Sequence, residues 1–380
     1  MQPVYVTAAA QCLPGLPIGN EAMADHIGRL SPEAERFGRL TLRQNRIRTR
    51  HYAIQPDGSS DWTVAKLAGQ AVRSLIDGAE GARGRIGFLA TATTQNDLMV
   101  PGLASGVHAE SGLPPIEIAS LQSVCASSVM ALKAAALQVA AGEHKAAIVV
   151  GAEFSSRYFR PGHYRGTDTV QADGTLPGDA EFLRWTLSDG AAALMLEDRP
   201  AAHGLSLRID WISLRSFADR FTPCMTGGAV READGTLTPW SLVEGGSAAA
   251  AKAGAFQLRQ DVEALYRMLP VWMGEFMRLT DEGRIDPDTV DWFLCHFSAH
   301  SLREEMVRLA TKAGCMIPEE RWFTNLYDKG NVGAAALFLM IDDLMRSGRL
   351  ETGQRILCAV PESGQCIMAF AGLTVVGDVQ

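Results

Sequence analysis

The sequence lacks the features that mark membrane, secreted and nucleic-acid-binding proteins. No apolar run reaches the roughly 18 residues that a membrane-spanning helix needs, and residues 1–7 lack the basic-then-apolar pattern of a secretory signal. Basic residues are few: 35 Lys and Arg stand against 43 Asp and Glu, so the net charge is −8. Because nucleic acids and anionic membranes are bound by basic surfaces, we expect a cytoplasmic protein that binds neither.

Cysteine is present but is not arranged as a structural framework. The cysteines are odd in number and scattered, with no Cys-x-x-Cys pair and no Cys/His cluster at zinc spacing. They are Cys12, Cys125, Cys224, Cys295, Cys315, Cys358 and Cys366. This pattern is typical of reduced thiols in a cytosolic protein. We therefore expect no disulfide, no metal ion and no cofactor.

Short apolar runs alternate with helical patterns along the whole chain, which predicts an α/β protein. The predicted strands are 86–90, 147–151, 290–294 and 356–360, and the predicted helices are 60–76, 127–141, 259–278 and 301–313. A chain of 380 residues fits two coupled domains of about 190 residues each. The polar stretch 197–204 marks the boundary between them, so the predicted halves are 1–200 and 201–380.

The chain contains a weak internal repeat. Cys125 opens a helix of small and apolar residues that Gly142 ends, and a strand with a turn at 151–153 follows. In the second half Asn331 opens a similar helix, Gly348 lies at the same spacing, and again a strand and a turn follow. A residue able to do chemistry therefore begins the corresponding helix in each half.

Cys125 lies between strand-like residues and a helix, which puts its sulfur at a helix N-terminus. There the helix dipole and the unpaired amides stabilise a thiolate and lower the thiol pKa. A thiolate is the form that attacks a thioester carbonyl. The local sequence alone favours a different interpretation, a small buried residue that packs a helix against a sheet, because buried cysteines are common.

His296 and Asn331 lie at similar junctions. His296 follows a predicted strand at the point where α/β folds place reactive groups, and its imidazole can donate to an oxyanion or act as a base. A capping or interface histidine is the alternative, and His300 fits that alternative better. Asn331 can supply an amide donor to the same oxygen, although helix capping explains it equally well when it is taken alone.

The order Cys, His, Asn at strand-to-helix junctions is similar to that of the thiolase-fold ketosynthases of the ketoacyl synthase III type. The resemblance covers nearly the whole chain, at 45–53, 90–94, 121–128, 188–193, 290–296 and 330–335. Within that family the chain most resembles the bacterial ketosynthases that form dialkylresorcinols and cyclohexanediones, through 182–185, 322–326 and 361–364. The resemblance implies an α/β thiolase-like fold of two duplicated βαβ-rich halves in a five-layer αβαβα arrangement.

The resemblance also implies roles for the matching positions. Cys125 would carry the acyl group, His296 and Asn331 would stabilise the enolate or oxyanion of a carbon–carbon bond-forming step, and the backbone amides of Cys125 and Ser363 would form the oxyanion hole. The substrates would be thioesters of coenzyme A or of an acyl carrier protein, and the enzyme would be a homodimer. Secondary-metabolite biosynthesis of the polyketide or resorcinol type is the expected setting.

Two departures from the housekeeping members of the family lie at the site. Phe297-Ser298-Ala299 replaces the usual Gln-Ala-Asn after the histidine, and the terminal loop 361–365 is not glycine-rich. The second substrate is therefore either malonyl or a β-ketoacyl thioester, and the latter needs a base to deprotonate its Cα. Glu153 is the candidate base, and a structural carboxylate in a turn is its alternative.

Three other functions are considered. A thiolase needs a second reactive cysteine in the terminal loop, where Pro361 stands. An acyltransferase would move the acyl group from Cys125 to an alcohol or amine, and would have less need of Asn331. A silent subunit of a heteromeric synthase would be expected to lose the nucleophile, which this chain keeps. We therefore predict a condensing enzyme.

Overall fold

The computed structural model describes residues 2–79 and 83–377. Its strands are β1 Tyr5–Cys12, β2 Ile18–Gly19, β3 Thr49–Arg50, β4 Ile86–Thr93, β5 Glu117–Gln122, β6 Ala146–Glu153, β7 Gly190–Glu197, β8 Ser206–Ser216, β9 Met225–Thr226, β10 Ala229–Arg231, β11 Leu237–Pro239, β12 Arg259–Gln260, β13 Trp292–Cys295, β14 Trp322–Phe323, β15 Arg355–Glu362 and β16 Ile367–Val376.

The α-helices are α1 Met23–Ile27, α2 Pro32–Asn45, α3 Val64–Asp77, α4 Leu103–Ser111, α5 Ser127–Ala141, α6 Gly178–Thr186, α7 Gly246–Lys252, α8 Val262–Asp281, α9 His300–Ala313, α10 Leu326–Lys329 and α11 Ala336–Arg346. Each of the four predicted helices and four predicted strands has a counterpart, with ends that differ by a few residues. Within the described ranges no helix is both long enough and apolar enough to span a bilayer.

The main sheet repeats one topology twice. Its strand order is β14-β13-β15-β16-β8-β1-β7-β6-β4-β5. In the N-terminal half β4 pairs in parallel with β5 and β6, and β6, β7 and β1 then pair antiparallel. In the C-terminal half β13, β14, β15, β16 and β8 repeat that sequence of pairings in the same order. The duplication inferred from the sequence is therefore confirmed.

Three apolar cores separate the layers. One core holds the small and aliphatic side chains of α5 and α11 between the two half-sheets, which is why these helices are rich in alanine. A second core covers the outer face of the N-terminal half under α3 and α4, and a third covers that of the C-terminal half under α8 and α9. This five-layer arrangement confirms the predicted α/β thiolase-like fold class. The division at residues 200 and 201 stays a prediction.

The two central helices begin differently. α5 starts two residues after Cys125 and ends at Gly142, whose φ of 81° suits a glycine C-cap. The prediction that Asn331 opens a helix directly is wrong, because a 3-10 turn at Gly333–Ala335 comes first and α11 starts at Ala336. The side-chain oxygen of Asn331 accepts a hydrogen bond from the backbone N–H of Gly333 at 3.0 Å, which favours that turn.

Candidate active site

The two halves bring Cys125 and His296 into contact. Cys125 lies between β5 and α5, and His296 directly follows β13. The backbone N–H of His296 donates to the carbonyl oxygen of Ala359 on β15. Both side chains are buried, and His296 Nε2 lies 3.1 Å from Cys125 Sγ. This distance suits proton transfer between a thiol and an imidazole.

The expected lowering of the Cys125 pKa is wrong. The sulfur does lie at the N-terminal end of α5, but burial raises the thiol pKa well above its ordinary value, and the negative charges of Glu362 and Glu153 raise it further. These effects outweigh the amide of Cys125 itself, which acts in the opposite direction. The free enzyme therefore holds a thiol, and Cys125 needs a base to become a nucleophile.

His296 can be that base. Burial lowers the pKa of its imidazole to about 4, so the ring is neutral at physiological pH. A neutral imidazole has one nitrogen able to accept a proton, and here Nε2 faces the thiol. Cys125 and His296 thus form a neutral pair, and the thiol proton can move to His296 as the sulfur attacks.

Asn331 reaches the same cavity from the C-terminal half. Its backbone N–H and C=O bond to Thr186 and Ser188, which fixes the residue against the end of α6. Since its side-chain oxygen accepts the N–H of Gly333, the amide orientation is determined, and Nδ2 has no acceptor in the described part of the chain. The geometry therefore leaves an N–H donor available to a substrate oxygen.

Glu153 ends β6 and also lines the cavity. One carboxylate oxygen, Oε1, accepts the N–H and hydroxyl of Thr94 at 3.0 and 2.6 Å, and the N–H of Ala334 at 3.0 Å. Among the described residues the other oxygen, Oε2, has no hydrogen-bond donor. Burial raises the pKa of Glu153 to about 7, against the opposing effect of those donors. Glu153 is thus both anchored in a turn and available as an acid or base near neutral pH.

The last loop completes the cavity wall. Ser363 lines the cavity beside Cys125, and its carbonyl oxygen accepts the N–H of Met225. Neither the N–H of Ser363 nor that of Cys125 donates to an acceptor in residues 2–79 or 83–377. Two free amides that border one cavity can hold an oxyanion.

Glu362 is a residue of the site that the sequence motifs did not indicate. This side chain is buried at the end of β15, and its oxygens accept the Ser123 hydroxyl at 2.6 Å and the N–H of Ala126 at 2.9 Å. The signal was available, because the internal repeat aligns the strand that ends at Glu362 with the strand that ends at Glu153.

Apolar side chains surround the reactive groups, and a second apolar cavity adjoins the first. Trp272, Met306 and Pro361 line both cavities, and the second lies between α8 and the outer face of the C-terminal half-sheet. Trp185, in the 182–185 segment of the family resemblance, does not line either cavity. It packs against α2, and its indole N–H donates to Glu181.

The three arginines at 46, 48 and 50 alternate along the sequence but have different surroundings. Arg50 is fully buried and donates to Asn20 and to the Trp185 carbonyl, whereas Arg48 pairs with Asp328 and Arg46 with Glu304. Their alternation reflects one buried structural arginine that is preceded by two arginines in surface ion pairs.

The duplicated halves, with Cys125, His296 and Asn331 gathered where they meet, define a protein of the thiolase-fold class. Matches to protein-family models agree with this class. The model described as 3-oxoacyl-[acyl-carrier-protein] synthase III matches residues 120–176, and the model of its C-terminal domain matches residues 280–370. The first match includes Cys125, and the second includes His296, Asn331 and Ser363. These two segments are therefore similar to the ketoacyl synthase III family of condensing enzymes.

Solved structures of that fold align over the full length of the chain. AbyA1, a tetronic acid condensing enzyme, is 22% identical with a TM-score of 0.75, and the match covers 98% of this chain and 99% of that one. The 3-oxoacyl-(acyl carrier protein) synthase III of Pseudomonas aeruginosa PAO1 is 19% identical with a TM-score of 0.72 and complete coverage of both chains. The Xanthomonas campestris OleA variant E117Q is 17% identical with a TM-score of 0.72 and covers 98% of each.

Proposed function

We propose that the protein joins two acyl thioesters by forming a carbon–carbon bond, with the first acyl group carried on Cys125. The observation that carries this proposal is the 3.1 Å contact between Cys125 Sγ and His296 Nε2, beside the free amide of Asn331. A thiol with an adjacent neutral base accounts for acyl loading. A separate side-chain amide donor is needed less for simple acyl transfer than for condensation.

In the loading step the thiol of Cys125 passes its proton to His296 while the sulfur attacks the thioester carbonyl. The amides of Cys125 and Ser363 hold the resulting oxyanion, and each such donor contributes about 3 kcal/mol in the transition state. When the oxyanion collapses, the carbon–sulfur bond of the incoming thioester breaks. The leaving thiolate then takes the proton from His296, so the imidazole returns to its neutral form.

In the condensation step the second substrate is a β-ketoacyl thioester. The Glu153 carboxylate removes a proton from its Cα, and Asn331 donates a hydrogen bond to the enolate oxygen. His296 donates a second hydrogen bond in the neutral tautomer that carries its proton on Nε2. The enolate carbon attacks the acyl carbonyl on Cys125, the carbon–sulfur bond to the enzyme breaks, and the Cys125 thiolate takes the proton held by Glu153. A pKa near 7 suits a base that works at neutral pH.

The apolar surroundings suit long alkyl chains. The second cavity, which shares Trp272 and Met306 with the first, offers an apolar environment for one chain. We propose that the substrates are an acyl thioester and a β-ketoacyl thioester with alkyl chains. Joining two such chains through the β-ketoacyl carbon fits a polyketide or resorcinol-type pathway of secondary metabolism.

We propose an acyl carrier protein as the donor, in preference to coenzyme A. α2 presents Arg36, Arg39 and Arg43 with the exposed Leu40, and none of these arginines forms an ion pair in the part of the chain that the structure describes. A cleft of about 520 Å³ beside α2 shares Leu265 and Leu302 with the catalytic cavity. Basic side chains on a helix that borders a cleft complement an acidic carrier that delivers its thioester on a long arm.

We propose a homodimer formed through β5. This strand pairs only with β4 in the described chain and ends the sheet, and its side chains are exposed or half-buried. The exposed segment Leu98, Met99 and Val100 adds apolar surface after β4. Since an open edge pairs readily with another strand, a second copy of β5 is the occupant that we propose.

Incubation with a radiolabelled acyl thioester tests the loading step. Wild type is expected to retain acid-stable label, and Cys125→Ala is expected to retain none. Mass spectrometry of products from a β-ketoacyl thioester plus an α,β-unsaturated acyl thioester then tests condensation. Equal labelling of the Cys125→Ala variant, or a product that is only a linear ester or amide, would contradict the proposal.

A further inference from the structure

The Glu362 carboxylate joins the last loop to the turn that carries the nucleophile. It is 1% exposed, and its two oxygens are held by two donors from the opposite half, the Ser123 hydroxyl and the Ala126 N–H. Gly364 permits this closeness, because a Cβ there would lie 2.8 Å from Glu362 Oε1 and 3.0 Å from a Val124 methyl. The loop that holds Ser363 is thereby fixed against residues 123–126.

Glu153 makes the equivalent contact in the opposite direction, from the N-terminal half to the C-terminal half. Glu153 ends β6 in the N-terminal half and accepts the N–H of Ala334, three residues after Asn331. Glu362 ends β15 in the C-terminal half and accepts the N–H of Ala126, one residue after Cys125. Each half therefore extends a buried carboxylate to the backbone that leads into the other half's central helix.

We propose that Glu362 is a positioning residue that holds the nucleophile turn in place and restrains the ionisation of Cys125 until His296 accepts the thiol proton. This inference rests on the proposed role of Cys125 as the acyl carrier. Glu362 occupies the Ala126 amide, a donor at the start of α5 that a thiolate would otherwise compete for. This hydrogen bond holds the turn in place. It also leaves the Cys125 thiolate with less stabilisation from the N-terminus of α5 than its position suggests.

The charges around the sulfur agree with this geometry. Among the described residues, Glu362 on β15 and Glu153 on β6 are the charged groups that act on Cys125, and His296 after β13 contacts its sulfur. Arg157 and Tyr158 line the same cavity. Glu362 is the largest charged contribution to the raised pKa of Cys125, ahead of Glu153. Burial also raises the pKa of Glu362 itself, but the donors from Ser123 and Ala126 both favour its ionised form.

The test is the pH profile of Cys125 alkylation by iodoacetamide in the full-length protein, followed by peptide mass spectrometry at Cys125. Glu362→Gln keeps a similar shape and removes the charge, so the profile is expected to move to lower pH. A shift of one unit gives about a tenfold faster reaction at pH 7. Glu275→Gln is the matched control, since Glu275 is a buried carboxylate on α8 that pairs with Arg278, and its profile is expected to match wild type.

A Glu362→Gln profile that coincides with wild type would overturn the proposal. If that variant does not fold, Ser123→Ala removes one donor and favours protonation of Glu362, so it is expected to shift the profile in the same direction by less; no shift there also overturns it. Alkylation needs no acyl transfer, so this result stands apart from the labelling of Cys125→Ala. Failure of the loading experiment alone would remove the catalytic role and leave the Glu362 measurement valid.

Discussion

The two halves of the molecule share one topology but supply different chemistry to the same cavity. In the N-terminal half the segment before the central helix carries Cys125, the proposed nucleophile, and in the C-terminal half it carries Asn331, the proposed amide donor. The strand after each helix, β6 or β15, ends in a buried glutamate, Glu153 or Glu362. The two halves therefore share a framework but differ in their reactive side chains.

The comparison also shows why neither half is sufficient alone. Cys125 has its imidazole partner on the other half, and each glutamate accepts a backbone N–H from the other half. Separation of the halves would also expose to water the apolar core that α5 and α11 share, so it would be costly. The chemistry and the cohesion of the two halves thus depend on the same contacts.

The largest effect is expected at Asn331, the counterpart of Cys125. Asn331→Asp keeps an oxygen to accept the Gly333 N–H but removes the N–H donor, so condensation is expected to fall about 10²- to 10³-fold. Loading of Cys125 should change by only a few fold, because Asn331 does not contact the thiol. Separate assays of acyl loading and product formation check this split.

Asn331→Ala is the companion variant, since it removes both the donor and the turn contact. If Asn331→Asp condenses at the wild-type rate while Asn331→Ala does not, the residue holds the Gly333 turn and supplies no donor to the substrate. The two halves would then differ less in chemistry than we propose.

The fold and the pairing of the two halves could be predicted from sequence because both depend on regular patterns. Apolar periodicity indicated the strands and helices, and the equal spacing from Cys125 to Gly142 and from Asn331 to Gly348 indicated the repeat. The resemblance to a family then indicated Cys125, His296 and Asn331 as a set. Their assembly in one cavity involves contacts between residues far apart in the chain, which local patterns do not contain.

The electrostatics of the site could not be predicted in the same way. A helix N-terminus suggested a lowered Cys125 pKa, but the thiol is buried and two carboxylates from β6 and β15 raise that pKa. Burial and long-range charge depend on tertiary packing, so the local rule was outweighed. The 3-10 turn after Asn331 was missed for a similar reason, because the turn forms where Ala334 donates to Glu153.

Glu153 and Glu362 are expected to differ in how they affect the reaction, and the pH profile of condensation shows this for Glu153. The base form is the ionised carboxylate and the pKa is about 7, so condensation by the wild type should rise with pH up to about 7 and then level off. The rate of condensation by Glu153→Gln should be about 10²-fold lower and should lack that rise with pH. A rise through pH 7 that persists in Glu153→Gln would assign the titration to another group.

The halves also differ in how closely their strands approach the opposite helix entry. Gly151 in β6 lies against the 3-10 turn, and a Cβ there would collide with the carbonyl oxygen of Ala334, whereas the matching position in β15 is Val360. Gly151→Ala is expected to lower the free energy of unfolding by about 2 kcal/mol, because the obstacle is backbone.

Gly274→Ala is the matched control for that substitution. Gly274 lies within α8 with nothing within 4 Å of an added Cβ, so alanine there should stabilise the protein by about 0.5–1 kcal/mol. Urea denaturation of both variants measures the difference. If Gly151→Ala is as stable as wild type, the approach of the two halves at this point is looser than the structure indicates.

The smallest effect is expected at the two ends of the sheet. β5 is a six-residue exposed edge, whereas β14 at the other end has two half-buried residues, so only β5 offers a strand long enough for pairing with a second copy. Ile118→Lys places like charges across the proposed two-fold axis and should weaken the dimer about tenfold, by about 1.4 kcal/mol. Sedimentation across a dilution series measures this, with Met277→Lys on α8 as the exposed apolar control. A monomeric wild type, or equal weakening by both variants, would remove β5 as the interface, and the two edges would then be equivalent.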